Sequence, residues 1–192
     1  FIPTHERSIG YVFQEDGLLP HLTVEKNIEY AVRRNKKALI KGLYEKVLLI
    51  LGIENVLDVF PDQLSGGERQ RVSIARSLLQ QPGILLMDEP LASLDERRKR
   101  EILPYLERIS KHFDIPILYV SHSVEEIARL ADNVLVFKQG RIVEEGPPNS
   151  VFASENSLMG LSDEVGVVFD GDISAWDENW ELSTVTTGCG DL

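Results

Sequence analysis

The sequence predicts an α/β protein with a parallel sheet packed among helices and the start of a small all-β unit at its C-terminal end. Three short apolar runs each stop abruptly at a polar residue, and helical periodicities fill the gaps between them. The charge pattern then changes sharply past residue 141, where basic residues cease.

The first run, Ser8-Ile-Gly-Tyr-Val-Phe13, stops at Gln14. The second, Ile84-Leu-Leu-Met87, stops at Asp88 and Glu89, and the third, Ile115-Pro-Ile-Leu-Tyr-Val120, at Ser121 and His122. Apolar content that is continuous, not alternating, marks strands covered on both faces. In parallel sheets ligands sit beyond the carboxyl ends of the strands, so Gln14, Asp88, Glu89 and His122 are expected along one edge. Helical patterns run from Val24 to Arg34, Leu39 to Leu51, Glu68 to Leu79, Arg97 to Phe113 and Val124 to Leu130. Pro104 falls inside the fourth and should kink or divide it.

Asn133 to Lys138 and Arg141 to Glu145, flanking Gln139-Gly140, read as a β-hairpin closing the first domain. Beyond Pro147-Pro148 a short helix is expected around Ser150 to Ala153. Val165 to Ile173 and Trp180 to Thr187 then have the β-branched and aromatic content of strands. The expected organisation is a domain over 1–146, a linker over 147–164 and the opening of an all-β domain over 165–192.

With 192 residues and 43% apolar content, the chain can bury an ordinary core, which argues against intrinsic disorder. No apolar run approaches the roughly 18 to 20 residues that cross a bilayer, and the start lacks a secretory pattern, so a soluble, unexported protein is expected. The single cysteine, Cys189, excludes an internal disulfide and a cysteine-rich metal cage. All 20 Lys and Arg lie within residues 1–141, while 11 of the 31 acidic residues follow from Glu144 onward. That acidic stretch would repel a phosphate backbone, so no nucleic-acid partner is expected. Phe1 in place of Met, and a chain ending just after Gly-Cys-Gly, make both ends look cut.

The segment Leu64-Ser-Gly-Gly-Glu-Arg-Gln70 opens a helix. Ser65 suits the N-cap and Glu68 completes a capping box. Gly66 and Gly67 leave backbone N–H groups and the positive helix end open to a phosphate; a capped helix with a flexible entry explains the same residues. Asp88 and Glu89 put two carboxylates at a strand end, where neighbours point to opposite sides. Asp88 then suits Mg²⁺ and Glu89 a general base; an acidic pair capping the next turn is the plainer account. His122 at the same edge could donate to a phosphate, although a lone histidine is more often structural. The Gln14 amide could reach the metal or an attacking water.

Together these residues resemble the ATP-binding subunits of ABC transporters. Gln14 is similar to their Q-loop, Leu64 to Gln70 to their signature motif, Ile84 to Glu89 to their Walker B strand, Ala92-Ser-Leu-Asp95 to their D-loop and His122 to their switch histidine, in the family's order. The resemblance covers residues 7–146 and implies a partial P-loop NTPase domain with a helical subdomain over about 20–80. It implies ATP and Mg²⁺ as cofactors, with Glu89, His122 and Gln14 catalytic, and Asp88 and Gln14 at the metal. Ser65, Gly66, Gly67 and Gln70 would serve a partner's ATP, and Asp95 the D-loop. No Gly-x-x-x-x-Gly-Lys-Ser/Thr loop is present, so this chain alone is expected to be inactive. The family works as two ATPase subunits sandwiching two ATP molecules, which requires a two-fold interface.

The 51 residues from Gln14 to Ser65 leave room for a helical insertion but not a long coiled-coil arm. Pro20-His-Leu-Thr-Val24-Glu-x-Asn27 resembles the insertion with which importer subunits grip a membrane permease, and Thr23 as a helix cap explains it equally well. Gly10 to Gln14, Pro90 to Asp95, Arg98 to Leu106 and Leu118 to Ser123 resemble the molybdate importers of the family, and Val165 to Leu192 the first strands of their C-terminal oxyanion-associated β-barrel. The implied setting is the cytoplasmic face of a membrane, with a permease and, indirectly, a periplasmic or surface solute-binding protein. Sulfate, iron or sugar importers, and soluble ABC proteins without a permease, are the alternatives. With no basic residue after Arg141, an oxyanion sensed by the C-terminal part would have to be held by backbone N–H and hydroxyl groups, such as those of Thr184, Thr186 and Thr187.

Overall fold

The computed structural model describes residues 2–3, 6–34, 38–153, 171–177, 182–187 and 190–191. Backbone packing divides the chain into two compact units, residues 1–130 and 131–192.

In the first unit three strands, β1 (Ile9–Val12), β2 (Ile84–Asp88) and β3 (Ile117–Val120), form a parallel sheet in the order β1-β2-β3. Ile9 pairs with Ile84, Met87 with Val12 and Tyr119, and Asp88 with Val120. Five helices accompany them: α1 (Val24–Arg34), α2 (Leu43–Leu51), α3 (Gly66–Leu78), α4 (Glu96–His112) and α5 (Val124–Leu130). Helix α3 is central, packing on β1, α1, α2 and α4. Its Val72, Ile74, Ala75 and Leu78 join Val12, Leu85, Met87, Ile102 and Ile109 in one apolar core. Among the described residues no helix is long and apolar enough to cross a membrane.

The expected parallel sheet with helices is present, and among the described residues one of its faces is covered more than the other. Val12, Leu85 and Met87 are buried, whereas Ile9, Tyr11, Leu118 and Val120 are exposed.

Helix α2 begins four residues later than its periodicity suggests, because Gly42 takes a left-handed backbone (φ 79°) and turns the chain in. Pro104 does not divide α4. Ile102, Leu103, Leu106 and Ile109 form one buried stripe through it, and that packing outweighs a missing backbone hydrogen bond. The entry to α1 is satisfied by tertiary partners, the carbonyls of Val59 and Leu57 accepting from the N–H groups of Val24 and Glu25 at 2.9 Å each. Thr23 contributes a long bond, 3.4 Å, from Lys26 N–H. Inside the first turn of α1, fully buried Asn27 accepts from Leu19 N–H (2.8 Å) and donates to the carbonyls of Leu19, Leu22 and Thr23.

In the second unit β4 (Val134–Lys138) and β5 (Arg141–Gly146) make the expected antiparallel hairpin. Both turn residues, Gln139 (φ 52°) and Gly140 (φ 74°), have positive φ, as a two-residue turn matched to strand twist requires. Helix α6 (Pro148–Phe152) packs on β5. β6 (Gly171–Asp177), β7 (Leu182–Thr187) and β8 (Gly190–Asp191) follow as an antiparallel meander. Of the two strands expected here, residues 165–170, 180 and 181 lie outside the described residues.

Candidate active site at the sheet edge

The carboxyl ends of the three parallel strands carry Gln14, Asp88, Glu89 and His122. Gln14 is exposed two residues beyond β1. Asp88 is the last residue of β2, and its Oδ2 accepts the Tyr11 hydroxyl at 2.9 Å. That hydrogen bond, then burial and the charge of Asp88, push the Tyr11 phenol above its ordinary pKa, so it stays a donor. Tyr11 was not singled out by the sequence, where it is one apolar position among others in a strand.

Glu89 lies past the strand, with a left-handed backbone (φ 48°). Strand alternation leads the two carboxylates to be expected on opposite sides; Asp88 ends β2 and Glu89 lies past it, and their partners differ, Tyr11 for one and His122 for the other. Val120 O holds the Glu89 N–H at 3.0 Å, and Glu89 O accepts from Ala92 N–H at 3.1 Å. A non-glycine residue in this region is strained by about 1–2 kcal/mol and persists only when its surroundings hold it there. The Glu89 carboxylate then meets the His122 imidazole, with Nδ1 2.7 Å from Oε2 and 3.0 Å from Oε1. The imidazole is well exposed, its side chain at 65%.

The glycine turn stands at the head of α3. Ser65 Oγ accepts from Glu68 N–H at 3.3 Å, and the Ser65 N–H and hydroxyl both donate to Glu68 Oε2, at 2.8 and 2.7 Å. These bonds, the hydroxyl's first, hold the Glu68 carboxyl below its ordinary pKa. A Cβ on Gly66 would stand 2.9 Å from Leu94 Cδ2, and one on Gly67 3.3 Å from Ile102 Cδ1. The glycines therefore also allow α3 to approach the segment entering α4, a reason their sequence does not show. Ser65 is exposed, and both glycines are half-buried. Gln70 is buried in α3 at 3% exposure, with Nε2 lacking a hydrogen-bond partner. Asp95 caps α4, its Oδ1 accepting from Arg98 N–H at 2.9 Å.

Helix α3 also grips the loop after Gln14. Arg69 Nε bonds Asp16 Oδ2 at 3.1 Å while its Nη1 bonds Leu64 O at 2.6 Å. Arg76 Nη1 donates to Gly17 O, and Ser77 Oγ to Tyr11 O. The glycine turn and the Gln14 loop are thus tied to one helix.

Among the described residues no three His, Cys, Asp or Glu side chains surround a common metal position. Mg²⁺ does not need such a cage, since it commonly takes one or two carboxylates, phosphate oxygens and water. The exposed Asp88 carboxylate fits that donor set.

At the sheet edge Asp88 meets Tyr11 and Glu89 meets His122, and a glycine turn opens α3. Residues 2–92 match the ABC transporter family model. It is 48% identical over 192 residues to the molybdenum import ATP-binding protein ModC of Thiobacillus denitrificans, covering 100% of this chain and 53% of that protein. It is 49% identical over 185 residues to the ModC of Pseudomonas fluorescens, covering 96% and 51%. The chain thus spans about half the length of the curated relatives it matches. Among solved structures, cbiO1 of Clostridium perfringens, part of the ABC transporter complex cbiONQ, superposes with a TM-score of 0.68 at 34% identity, over 76% of this chain and 59% of that one.

Proposed function

We propose that this chain is part of the ATP-hydrolysing subunit of an ABC importer for molybdate or a related oxyanion. The observation that carries the reading is the Glu89–His122 contact of 2.7 Å, set beside Asp88 at the carboxyl edge of a parallel sheet. The names of the relatives supply the solute. In this reading Glu89 takes the proton of the attacking water, a role worth roughly 10²- to 10⁴-fold. His122 holds the carboxylate's direction and donates toward the γ-phosphate, and Gln14 orients the water from the neighbouring strand end. Asp88, with Gln14, would hold Mg²⁺, which neutralises phosphate charge when bound.

The turn of Ser65, Gly66 and Gly67 presents N–H groups to the ATP of a second subunit, with Gln70 supporting the turn from the helix interior. Asp95, the D-loop residue of this reading, follows Glu89 in the segment that enters α4. Residues 1–192 contain no Gly-x-x-x-x-Gly-Lys-Ser/Thr loop, so by themselves they should turn over no ATP. The helices between β1 and α3 would engage a membrane permease, placing the protein at the cytoplasmic face. We assign residues 1–146 to the ATPase domain, 147–164 to a linker and the meander of β6 to β8 to the start of an oxyanion-associated β-domain.

Glu89→Gln in the full polypeptide should bind ATP, remain a closed dimer and lose turnover by at least about 100-fold. Dimerisation on size-exclusion chromatography with ATP, measured with the hydrolysis rate, checks both. An unchanged rate would remove Glu89 from its role.

A further inference from the structure

The loop that carries His122 hangs on a buried carboxylate. Glu126, on α5, has a side chain only 5% exposed. Its Oε2 accepts the Ser121 hydroxyl at 2.7 Å and the Tyr119 hydroxyl at 2.8 Å. Its Oε1 lies 3.8 Å from Lys99 Nζ, which also bonds Glu96 Oε1 at 2.9 Å in the first turn of α4. Burying a carboxylate is costly unless donors and a cation compensate it, and an apolar residue would fill the same space at less cost. Burial first, then the Glu126 charge and hydrogen bond, push the Tyr119 phenol well above its ordinary pKa, and Lys99 is raised chiefly by its bond to Glu96.

The bonds fall on both sides of His122. Ser121 Oγ donates to Glu126 and accepts from Ser123 N–H at 3.0 Å; Ser123 Oγ in turn accepts from Glu126 N–H at 3.4 Å. The residues before and after the histidine are therefore tied down, while its own side chain projects outward to Glu89.

We propose that Glu126 is a positioning residue for His122, fixing the Ser121–Ser123 loop so that the imidazole is held against Glu89. This rests on reading Glu89 and His122 as the catalytic pair. The network also joins that loop to the start of α4, four residues after Asp95, so the two segments keep a common position through Lys99.

A double-mutant cycle on single-turnover ATP hydrolysis by the full polypeptide tests it. Glu126→Gln should lower the rate about tenfold with the KM for ATP within about twofold. In a His122→Ala background the same substitution should cost nothing further, because the group it positions is gone. A parental rate in E126Q overturns the proposal, as does an equal loss in both backgrounds, which would mean Glu126 acts on the fold at large. If E126Q fails to fold, Ser121→Ala, which leaves Tyr119 and Lys99 on the carboxylate, takes its place, with a loss of about threefold that again vanishes without His122. An H122A protein at the parental rate would instead remove the catalytic reading, and the inference with it.

Discussion

At the head of α3, Ser65 and Glu68 bond each other across three residues; at the sheet edge, Tyr11 reaches Asp88 across 77 residues and His122 reaches Glu89 across 33. Both places present polar groups that the proposed function needs, but they are made differently. The capping box closes as soon as one helical turn forms, and its partners are neighbours whatever the rest of the chain does. The sheet edge exists only once β1 and β3 have aligned on β2, and it also holds Glu89 in a backbone conformation that its side chain disfavours. Strain therefore sits where the chemistry is proposed, and local stability where the nucleotide of a partner would dock.

Substitutions that separate strain from chemistry should show this contrast most strongly. Glu89→Gly removes the carboxylate and relaxes the left-handed residue. Turnover should fall by about 10² or more while stability rises by up to about 1 kcal/mol. Rate and thermal melting on the same sample check it, and a lowered melting temperature would show that the His122 contact outweighs the strain.

Gly66→Ala acts on the other region through packing, since the new Cβ meets Leu94 Cδ2 at 2.9 Å. We expect a loss of about 1–2 kcal/mol in urea unfolding, recovered in part when Leu94 is also shortened to Ala. An additive double mutant would show that the glycine is needed for another reason. Ser65→Ala removes the cap and should cost about 1 kcal/mol. Amide exchange in the first turn of α3 should rise with it, and unchanged protection there would deny the cap its role.

The smallest effect is a pH dependence. Because the folded-state pKa of Glu68 lies below its ordinary value of 4.5, its contribution is complete above that pH and is lost as pH falls through the depressed value. Glu68→Gln should flatten that part of the acid limb in stability measured from pH 5 downward. An unaltered limb would mean that the Ser65 bonds do not survive in solution.

Much of this was legible in the chain. The helices over Val24–Arg34 and Val124–Leu130 fall where periodicity puts them, and Gln139-Gly140 makes the hairpin its composition suggests. Residues that follow strand ends share an edge because parallel strands all end on the same side. What could not be read depends on partners far along the chain. Nothing near Glu126 distinguishes it from the adjacent Glu125 in sequence, yet one is buried under two hydroxyls and the other is exposed. Likewise, Pro104 reads as a break until the buried stripe on either side of it is known.

The residues alone thus determined the α/β alternation, the capped start of α3 and the gathering of Gln14, Asp88, Glu89 and His122 at one edge, because periodicity, capping and strand polarity act within a few residues. Tertiary structure alone decided the left-handed turn at Glu89 and the burial of Glu126. Those outcomes come from register and packing between segments tens of residues apart, where no local preference can choose.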